Sequence, residues 1–359
     1  MGLSAKGLLG ICGYSSGLIT LWGDRGMQFR ISTKISVLVG ALSALVSIAI
    51  AMVLHYGSTD IIFNQSLDRL KYEANISSIQ LLGDIEDLSQ DALYLVGTPP
   101  VSGIPRAERN GGIDPEDGST STVWTNRLTT IFTELIRAKP NYLQMRLISI
   151  KDNGRELVRV DRLGNLIQAI PAKNLQQKGD TSYFKQSVLL NPGEVYLSDI
   201  SLNREYGKVT QPHLPVIRAA TPIYFDDELY GVLVINMNFT SIFKTFISST
   251  PRLLLPYVTN EQGFFLASPD ASKNFGFDLG TDHKISNLYP SLDFNFSQDS
   301  RDTEYTFFES RDSDTEVIHV VKAQFDPVHP ERFLGVGLST SKTNLLSESN
   351  QLKNYALVV

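Results

Sequence analysis

The sequence predicts an α+β fold, in which a membrane-anchored long helix precedes two modules that are each an antiparallel sheet flanked by helices. Three observations support this fold class. Residues 35–54 form an uninterrupted apolar run, residues 59–95 carry a helical repeat of apolar positions, and two successive groups of strand-like stretches follow. Helical and strand periodicities in separate parts of one chain are typical of α+β proteins.

The apolar run reads ISVLVGALSALVSIAIAMVL and contains no charged residue. A bilayer core requires about 20 apolar residues in a helix, and this run supplies them. Its three serines can hydrogen-bond to their own helix, so they are compatible with insertion. The run therefore predicts a transmembrane helix.

Basic residues stand on one side of the run. Arg25, Arg30 and Lys34 precede it, and no Lys or Arg follows before Arg69. The positive-inside rule therefore predicts a cytoplasmic N-terminus, with the rest of the chain outside the cytoplasm. A cleaved signal peptide is the alternative, but the run is too long for the apolar region of such a peptide. The predicted segments are 1–34, cytoplasmic, and 35–56, which spans the inner membrane of a bacterium.

Residues 57–97 are predicted to form a long helix. Its apolar positions step by four and three with one shift, which is a heptad repeat with a stutter. Such a stripe can cover a sheet or pair two copies of the chain. Both can hold for different parts, and we expect the half near the membrane to form a homodimer. The stripe consists of Phe63, Leu67, Leu70, Ala74, Ser77, Leu81, Ile85, Leu88, Ala92 and Leu95.

Residues 98–249 are predicted to form the first module, which is distal to the membrane. Proline and glycine are dense over residues 97–121, which predicts a loop, and an amphipathic helix follows at 122–139. Hairpin signals then separate the strands. The predicted elements are strands 142–150 and 156–162 around Lys151-Asp152-Asn153-Gly154, a helix at 182–190, a strand at 194–200, and strands 214–225 and 229–238 around Asp226-Asp227.

Residues 250–340 are predicted to form a second module, proximal to the membrane. A linking helix at 241–249 precedes it, and the order of hairpin, insert and three strands then repeats without residue-level similarity. Its predicted strands are 256–260, 264–268, 304–310, 315–324 and 332–339.

The two ends of the sequence carry further expectations. Residues 341–359 are expected to lead into a second, truncated membrane span, with a cytoplasmic output domain beyond it. At the other end, the start of the protein can be Met1 or Met27.

Composition excludes several classes of function. The net charge is −6 and no basic cluster is present, which argues against nucleic acid as a partner. Cys12 is the single cysteine, so no disulfide forms within the chain, and the five histidines lack ligand spacing. No nucleophile elbow, phosphate-binding loop, HExxH or dinucleotide motif occurs. We therefore expect no catalytic residues, metal or cofactor in this fragment.

Polar side chains interrupt strands that otherwise have the composition of a core. They are Arg146, Arg159, Asp161, Arg218 and Asn236. A buried guanidinium group needs an anionic partner, because an unpaired buried charge is costly. The partner is either internal, from Asp161, Glu194 or Asp199, or it is a ligand carboxylate. For the group as a whole we favour a pocket for a small, anionic molecule.

Aromatic residues near these strands have two interpretations. Tyr183, Phe184 and Tyr196 can form the walls of the pocket or fill the core. The complete set of predicted ligand-binding residues is Arg146, Arg159, Asp161, Tyr183, Tyr196, Asp199, Arg218 and Asn236.

The chain resembles the double Cache sensor domains of bacterial transmembrane receptors, which contain two PAS-like modules. The resemblance covers about residues 59–339. It rests on Gln144-Met145-Arg146, GRELVRVDR, SYFKQS, VYLSDISLNREYGKV, LPVIRAATPIYF and LYGVLVINMNF in the first module, and YVTNEQGFFLASPD in the second.

The resemblance implies that a ligand binds in the distal module, between its sheet and the insert at residues 163–203. Relatives that bind amino acids carry an Arg-x-Trp-Tyr-type motif. Here Tyr183-Phe184-Lys185 stands near that place without the tryptophan, so an α-amino acid ligand is not implied.

We therefore expect the extracytoplasmic sensing region of a receptor, with histidine kinase or diguanylate cyclase output and a chemoreceptor as the third choice. The alternatives are recognition of a periplasmic partner protein, with the arginines structural, and an anchored enzyme, which the lack of a catalytic constellation disfavours.

Overall fold

The computed structural model describes residues 31–205, 207–292, 302–311, 314–327 and 329–347. The chain divides into two compact units, Met1–Thr59 and Asp60–Val359. Most of the predicted cytoplasmic segment, with its alternative starts, lies outside the described residues, as does most of the predicted C-terminal span. Of that span, residues 342–347 are described, and they are helical.

The first unit contains the apolar run. Helix α1 spans Ile31–Val96, and its portion Ile31–Val53 is long and apolar enough to cross a membrane. None of this portion is buried, and Leu38, for example, is 69% exposed. A core helix of a soluble domain would instead be buried, so exposure agrees with the predicted anchor.

In the second unit, α1 buries the predicted stripe. Leu70, Leu81 and Leu88 are at most 2% exposed and belong to the main apolar core. The stutter holds, because Ile85, Ala92 and Leu95 are buried as well. Phe63, Leu67 and Ser77 of the stripe are half-buried, and Ser78, beside the stripe, is buried. The stripe therefore covers the protein core, as one of its two interpretations requires.

The loop predicted for residues 97–121 was wrong in its first half, where helix α2 spans Pro99–Arg109. Pro99 and Pro100 occupy the first turn, where no intrahelical N–H bond is lost. Gly103 is required by a contact, because a Cβ there would lie 2.4 Å from the Trp124 ring. A third proline, Pro105, lies inside the helix, so the proline content of this stretch did not exclude a helix.

Helix α3 spans Ser121–Ala138 and buries Trp124, Leu128, Phe132 and Ile136, as its amphipathic pattern predicts. The side chain of Thr120 accepts a hydrogen bond from the Val123 N–H and caps its N-terminus.

A seven-stranded antiparallel sheet follows, called here the first sheet. Its strands are β1 (Tyr142–Ser149), β2 (Glu156–Leu163), β3 (Leu166–Ala169), β4 (Tyr196–Leu197), β5 (Ser201–Leu202), β8 (Pro215–Phe225) and β9 (Glu228–Asn238). The order is β3-β2-β1-β9-β8-β4, and β5 also pairs with β8. The remaining elements of this region are helix α4 (Ser182–Ser187) and a small hairpin of β6 (Arg204–Glu205) and β7 (Lys208–Val209).

Both predicted hairpin turns are present. Asp152 and Asn153 have φ of 51° and 53°, and Asp226 and Asp227 have φ of 51° and 60°. Asp and Asn tolerate this left-handed region. Asp226-Asp227 forms a two-residue hairpin, which needs this conformation to match strand twist, whereas the connection between β1 and β2 is longer.

Helix α5 (Thr240–Ser249) leads to a five-stranded antiparallel sheet, the second sheet. Its strands are β10 (Leu255–Thr259), β11 (Phe265–Ala267), β12 (Glu304–Arg311), β13 (Asp314–Gln324) and β14 (Phe333–Ser341), in the order β11-β10-β14-β13-β12. Helix α6 (Gly276–Leu279) follows β11. The structure thus has the α+β class expected, while the residue limits of the two modules, 98–249 and 250–340, stay a prediction.

A buried histidine lies where the second sheet meets α1. His319 is 1% exposed, and its Nδ1 lies 2.9 Å from the Thr306 hydroxyl. Its Nε2 lies 3.4 Å from a Glu304 carboxylate oxygen, which also accepts a hydrogen bond from Asn75 of α1. Burial lowers the pKa of His319 below its usual value, against the opposing effect of Glu304, and the Lys71 charge lowers it further.

We predict that this histidine makes stability depend on pH. Because its folded-state pKa is lowered, the unfolded chain takes up the proton first, and stability falls as the pH drops below about 6.5. The slope contributed approaches about 1.4 kcal/mol per pH unit. Denaturant unfolding of the wild type and of His319→Gln, from about pH 7.5 to about pH 5.5, measures the difference in slope. Equal slopes in the two proteins would contradict this prediction.

Candidate functional site

The two faces of the first sheet differ in chemistry. Met145 and Leu147 of β1 join the apolar core that α1 covers, whereas Gln144 and Arg146 alternate with them. On the neighbouring strands, Arg146 lies opposite Arg159, and Gln144 lies opposite Asp161 and Asn236. Arg218 of β8 pairs with Asn236 in turn. Strand register therefore gathers five of the eight predicted residues on what we call the polar face.

Arg146 is held by a buried carboxylate and a phenol. Its Nε lies 3.1 Å from Oε1 of Glu156, and its Nη1 donates a hydrogen bond of 3.1 Å to the Tyr183 hydroxyl. Arg146 and Glu156 are 6% and 1% exposed. At this level of burial both charges need each other, because either one alone would be poorly solvated.

Arg159 and Asp161 form a bidentate pair two residues apart on β2. Nε and Nη2 of Arg159 donate to the two oxygens of Asp161 at 2.9 and 2.7 Å. Gln144 donates to the same carboxylate at 2.6 Å. This is the internal partner that the sequence allowed for Arg159, in the fork geometry that strengthens such pairs.

Glu156 separates two guanidinium groups that the register places opposite each other. Its Oε2 lies 3.8 Å from Nη1 of Arg159, while its Oε1 faces Arg146. Like charges directly opposite in a sheet repel, so the intervening carboxylate is needed. Sequence reasoning missed Glu156 because strict alternation from Arg159 puts it on the other face. An irregularity in the pairing of β1 with β2, between Leu147 and Ile148, shifts the register and places Glu156 on the polar face.

Gln144 is the second residue that was missed, and here the sequence did carry a signal. It stands two residues before Arg146, which places both on one face of a strand. Its oxygen accepts a hydrogen bond of 3.2 Å from Asn236 and so connects β1 to β9.

Three buried polar atoms on the polar face have no hydrogen-bond partner among the described residues: Nε of Arg146, Oε1 of Glu156 and Oδ1 of Asn236. The first two lie close together but are not aligned for a hydrogen bond. Buried polar atoms are almost always hydrogen-bonded, so these three are unusual, although the first two form an ion pair with each other at 3.1 Å.

The predicted aromatic residues line one end of this face. Tyr183 and Phe184 of α4 form a buried cluster with Ile148, Val232 and Val234, and Tyr196 packs against that cluster. Tyr183 also reaches Arg146 through its hydroxyl. Tyr183 thus belongs to a buried cluster and is at the same time a hydrogen-bond partner of Arg146.

Asp199 and Glu194 have partners outside the polar face. Asp199 accepts a hydrogen bond of 2.8 Å from Arg332, which immediately precedes β14 of the second sheet, and its side chain is 70% exposed. Glu194 accepts from the backbone and side chain of Asn191, which lowers the pKa of its carboxyl. Arg218 donates to Asn203 at 3.5 Å.

The corresponding face of the second sheet is filled by hydrophobic side chains. Tyr257, Phe265 and Tyr289 form a buried cluster there with Ile318 and Val320. The Tyr289 hydroxyl donates to Glu316 at 2.7 Å and lies 2.8 Å from the Ser339 hydroxyl. Of the two sheets, the first one carries the charged interior.

Comparison with solved structures finds the same fold in bacterial sensors. A domain of a protein assigned to the sensory box/GGDEF family of Vibrio parahaemolyticus has a TM-score of 0.62 at 18% identity, covering 79% of this chain and 99% of that one. The extracellular domain of a protein assigned as histidine kinase vpHK1S-Z8 has a TM-score of 0.60 at 19% identity, covering 82% and 96%.

A third neighbour is the ligand-binding domain of the Campylobacter jejuni chemoreceptor Tlp3 in complex with L-norvaline. Its TM-score is 0.53 at 11% identity, and the match covers 79% of this chain and 94% of that one. A search of curated protein sequences finds no match.

The fold is therefore that of extracytoplasmic sensor domains. The model of the bacterial histidine kinase sensor domain matches residues 119–307, and the chain belongs to that family. Ligand sensing is the function of such domains, which are not catalytic.

We predict that the Arg159–Asp161 pair is essential to stability. Asp161→Ala removes the bidentate partner of a guanidinium group that is 8% exposed and leaves it only Glu156, at 3.8 Å. It should cost about 3 kcal/mol, because a buried charge loses its closest counter-charge. The control is Asp180→Ala, which removes an exposed partner 3.7 Å from Lys185 and should cost less than about 1 kcal/mol. Denaturant unfolding measures both, and equal costs would contradict the structural role of Asp161.

Proposed function

We propose that the polar face of the first sheet binds a small, anionic molecule. The observation that carries this proposal is a buried, charged face on which three polar side-chain atoms make no hydrogen bond among the described residues. Three guanidinium groups, those of Arg146, Arg159 and Arg218, stand there with two carboxylates, Glu156 and Asp161. A ligand carboxylate complements such a face, because guanidinium forks match its two oxygens.

The contrast between the sheets supports the same assignment. An aromatic cluster fills the corresponding face of the second sheet, whereas the first sheet has charged side chains buried on that face. Buried charges seldom improve stability over apolar packing, so a binding role is the better reason to keep them. The Tlp3 domain bound to L-norvaline, itself a carboxylate, supports a ligand of this size.

A thermal-shift screen tests the proposal. Acetate, succinate, citrate and L-isoleucine, at matched ionic strength, are the first probes, and a bound anion should raise the melting temperature. Arg218→Ala should weaken binding of an active compound about 10- to 100-fold, since a hydrogen bond to a charged group contributes about 1.5–3 kcal/mol.

Arg137→Ala is the matched control, because Arg137 is 60% exposed and pairs with Glu134 on α3. It should leave any shift unchanged. If no small anion, amino acid or metabolite raises the melting temperature in a wider screen, the proposal fails. Capture of a periplasmic protein would then favour the alternative of a partner-binding module.

We further propose that two copies of the chain pair through α1. Ile61, Tyr72, Ile79 and Tyr94 are 60–71% exposed. Their spacings of 11, 7 and 15 residues return each to nearly the same side of a helix, opposite the buried stripe. An exposed apolar stripe on a long helix is a typical pairing surface.

Charged substitutions on this stripe should separate the copies. The double variant Tyr72→Glu/Ile79→Glu is expected to be monomeric where the wild type is dimeric, because it places four glutamates in one interface. Light scattering coupled to size exclusion measures the mass of the detergent-solubilised chain. Leu189→Glu is the control, as Leu189 is 78% exposed and lies outside α1. A monomeric wild type would refute the pairing.

We infer that the sensor signals across the bacterial inner membrane to a histidine kinase or a diguanylate cyclase. The family supports the first output, and the GGDEF-family neighbour supports the second. The apolar portion of α1 supplies the anchor.

A further inference from the structure

One short segment of the first sheet is in contact with both sheets. We call residues 196–204 the bridging segment. It includes β4 and β5, which pair with β8 through Leu197 opposite Ala219 and Ser201 opposite Val216. The segment therefore forms the edge of the first sheet.

Arg332 holds the bridging segment from the second sheet. Its Nη1 donates to the Leu197 carbonyl at 2.6 Å, and its Nη2 donates to Asp199 at 2.8 Å. The same guanidinium group pairs with Asp326, whose side chain is 7% exposed, and lies 4.9 Å from the centre of the Phe325 ring. Asp326 and Phe325 fix the orientation of Arg332, and Arg332 fixes the segment.

Asp278 of α6 provides a second attachment point. One of its oxygens accepts a hydrogen bond of 2.7 Å from the Leu202 N–H, and the other accepts one of 2.9 Å from Arg204. Its side chain is 7% exposed, which favours charge-assisted bonds. Arg332 and Asp278 thus grip the segment near both of its ends, and we call these contacts the clamp.

The other side of the bridging segment reaches the polar face. Ser198 exchanges hydrogen bonds with the backbone of Arg218, each of 2.9 Å, through its own N–H and hydroxyl. Asn203 accepts the 3.5 Å hydrogen bond from the Arg218 side chain. A movement of Arg218 is therefore passed to the segment at two residues.

We propose that the bridging segment couples the polar face of the first sheet to the second sheet, with the clamp as the connection. A ligand that draws Arg218 toward itself pulls on Ser198 and Asn203, and the clamp transfers this displacement to α6 and β14. The claim that a ligand causes the displacement rests on the proposed function. The claim that the clamp connects the two sheets does not depend on a ligand.

Space beside the clamp permits such a movement. A cavity of about 630 Å³ is bordered by Leu197 of the segment, by Phe325 and Asp326, and by Ile85 and Leu93 of α1. A close-packed interior resists displacement, whereas an open cavity allows the segment to shift without overpacking.

A double-mutant cycle read by hydrogen exchange tests the coupling without any ligand. Arg218→Ala perturbs the polar face, and Asp278→Ala/Arg332→Gln breaks the clamp at both of its attachment points. The full chain, in nanodiscs, is compared as wild type, each variant and their combination. The readout is amide exchange in α6 and β14.

In the wild-type background, Arg218→Ala should speed exchange in α6 and β14 about fivefold or more, the lower end of ordinary coupling between sites. In the broken-clamp background, it should add nothing. Tyr224→Phe is the control, because it removes a hydrogen bond to Leu190 at the other end of β8, away from the segment.

Two results would overturn the proposal. Arg218→Ala could leave exchange in α6 and β14 unchanged, or its effect could persist in full when the clamp is broken. If the double variant fails to fold, Arg204→Ala alone replaces it, because the Arg204 side chain is 46% exposed. The effect of Arg218→Ala on exchange should then be reduced rather than abolished. If no anion binds in the thermal-shift screen but the double-mutant cycle gives the expected exchange rates, the proposed ligand binding is refuted and the proposed coupling is retained.

Discussion

Burial of one side of α1 is the interaction on which the rest of the second unit depends. Leu70, Leu81, Ile85 and Leu88 share an apolar cluster with residues of both sheets, among them Leu147 of β1 and Val336 of β14. Apolar burial supplies the main driving force for such an arrangement. With one face of each sheet committed to this core, the opposite face of each is available for another use.

The two sheets use that second face differently, and the difference is electrostatic. Charges on the first sheet are tolerated because Glu156 stands between Arg146 and Arg159, and because Asp161 accepts both nitrogens of Arg159 in a fork. These pairs give Arg146 and Arg159 internal carboxylate partners, which is one of the two alternatives that the sequence left open. They also leave three polar atoms, of Arg146, Glu156 and Asn236, without a hydrogen bond among the described residues, and these atoms lie on the face for which we propose ligand binding.

Asp199 shows how a residue outside the polar face can still serve a sensor. The sequence placed it with the ligand, whereas the structure pairs it with Arg332 across the gap between the sheets. Its neighbours Ser198 and Asn203 contact Arg218. A sensor needs contacts that differ between its two states as well as contacts to the ligand, because only a difference in affinity shifts the equilibrium.

The sequence by itself determined the apolar portion of α1, the buried stripe with its stutter, both hairpins and the alternation that aligns Arg146, Arg159, Asp161, Arg218 and Asn236. Each of these is a local periodicity or a turn preference, so short-range chemistry suffices. Tertiary structure decided the rest. Helix α2 forms although Pro105 lies inside it and Pro99 and Pro100 in its first turn. The Trp124 ring requires Gly103, Glu156 joins the polar face through an irregularity in strand pairing, and Asp199 pairs with Arg332, 133 residues away. Contacts between distant residues have no periodicity to reveal them, because their partners are brought together only by the packing of the sheets.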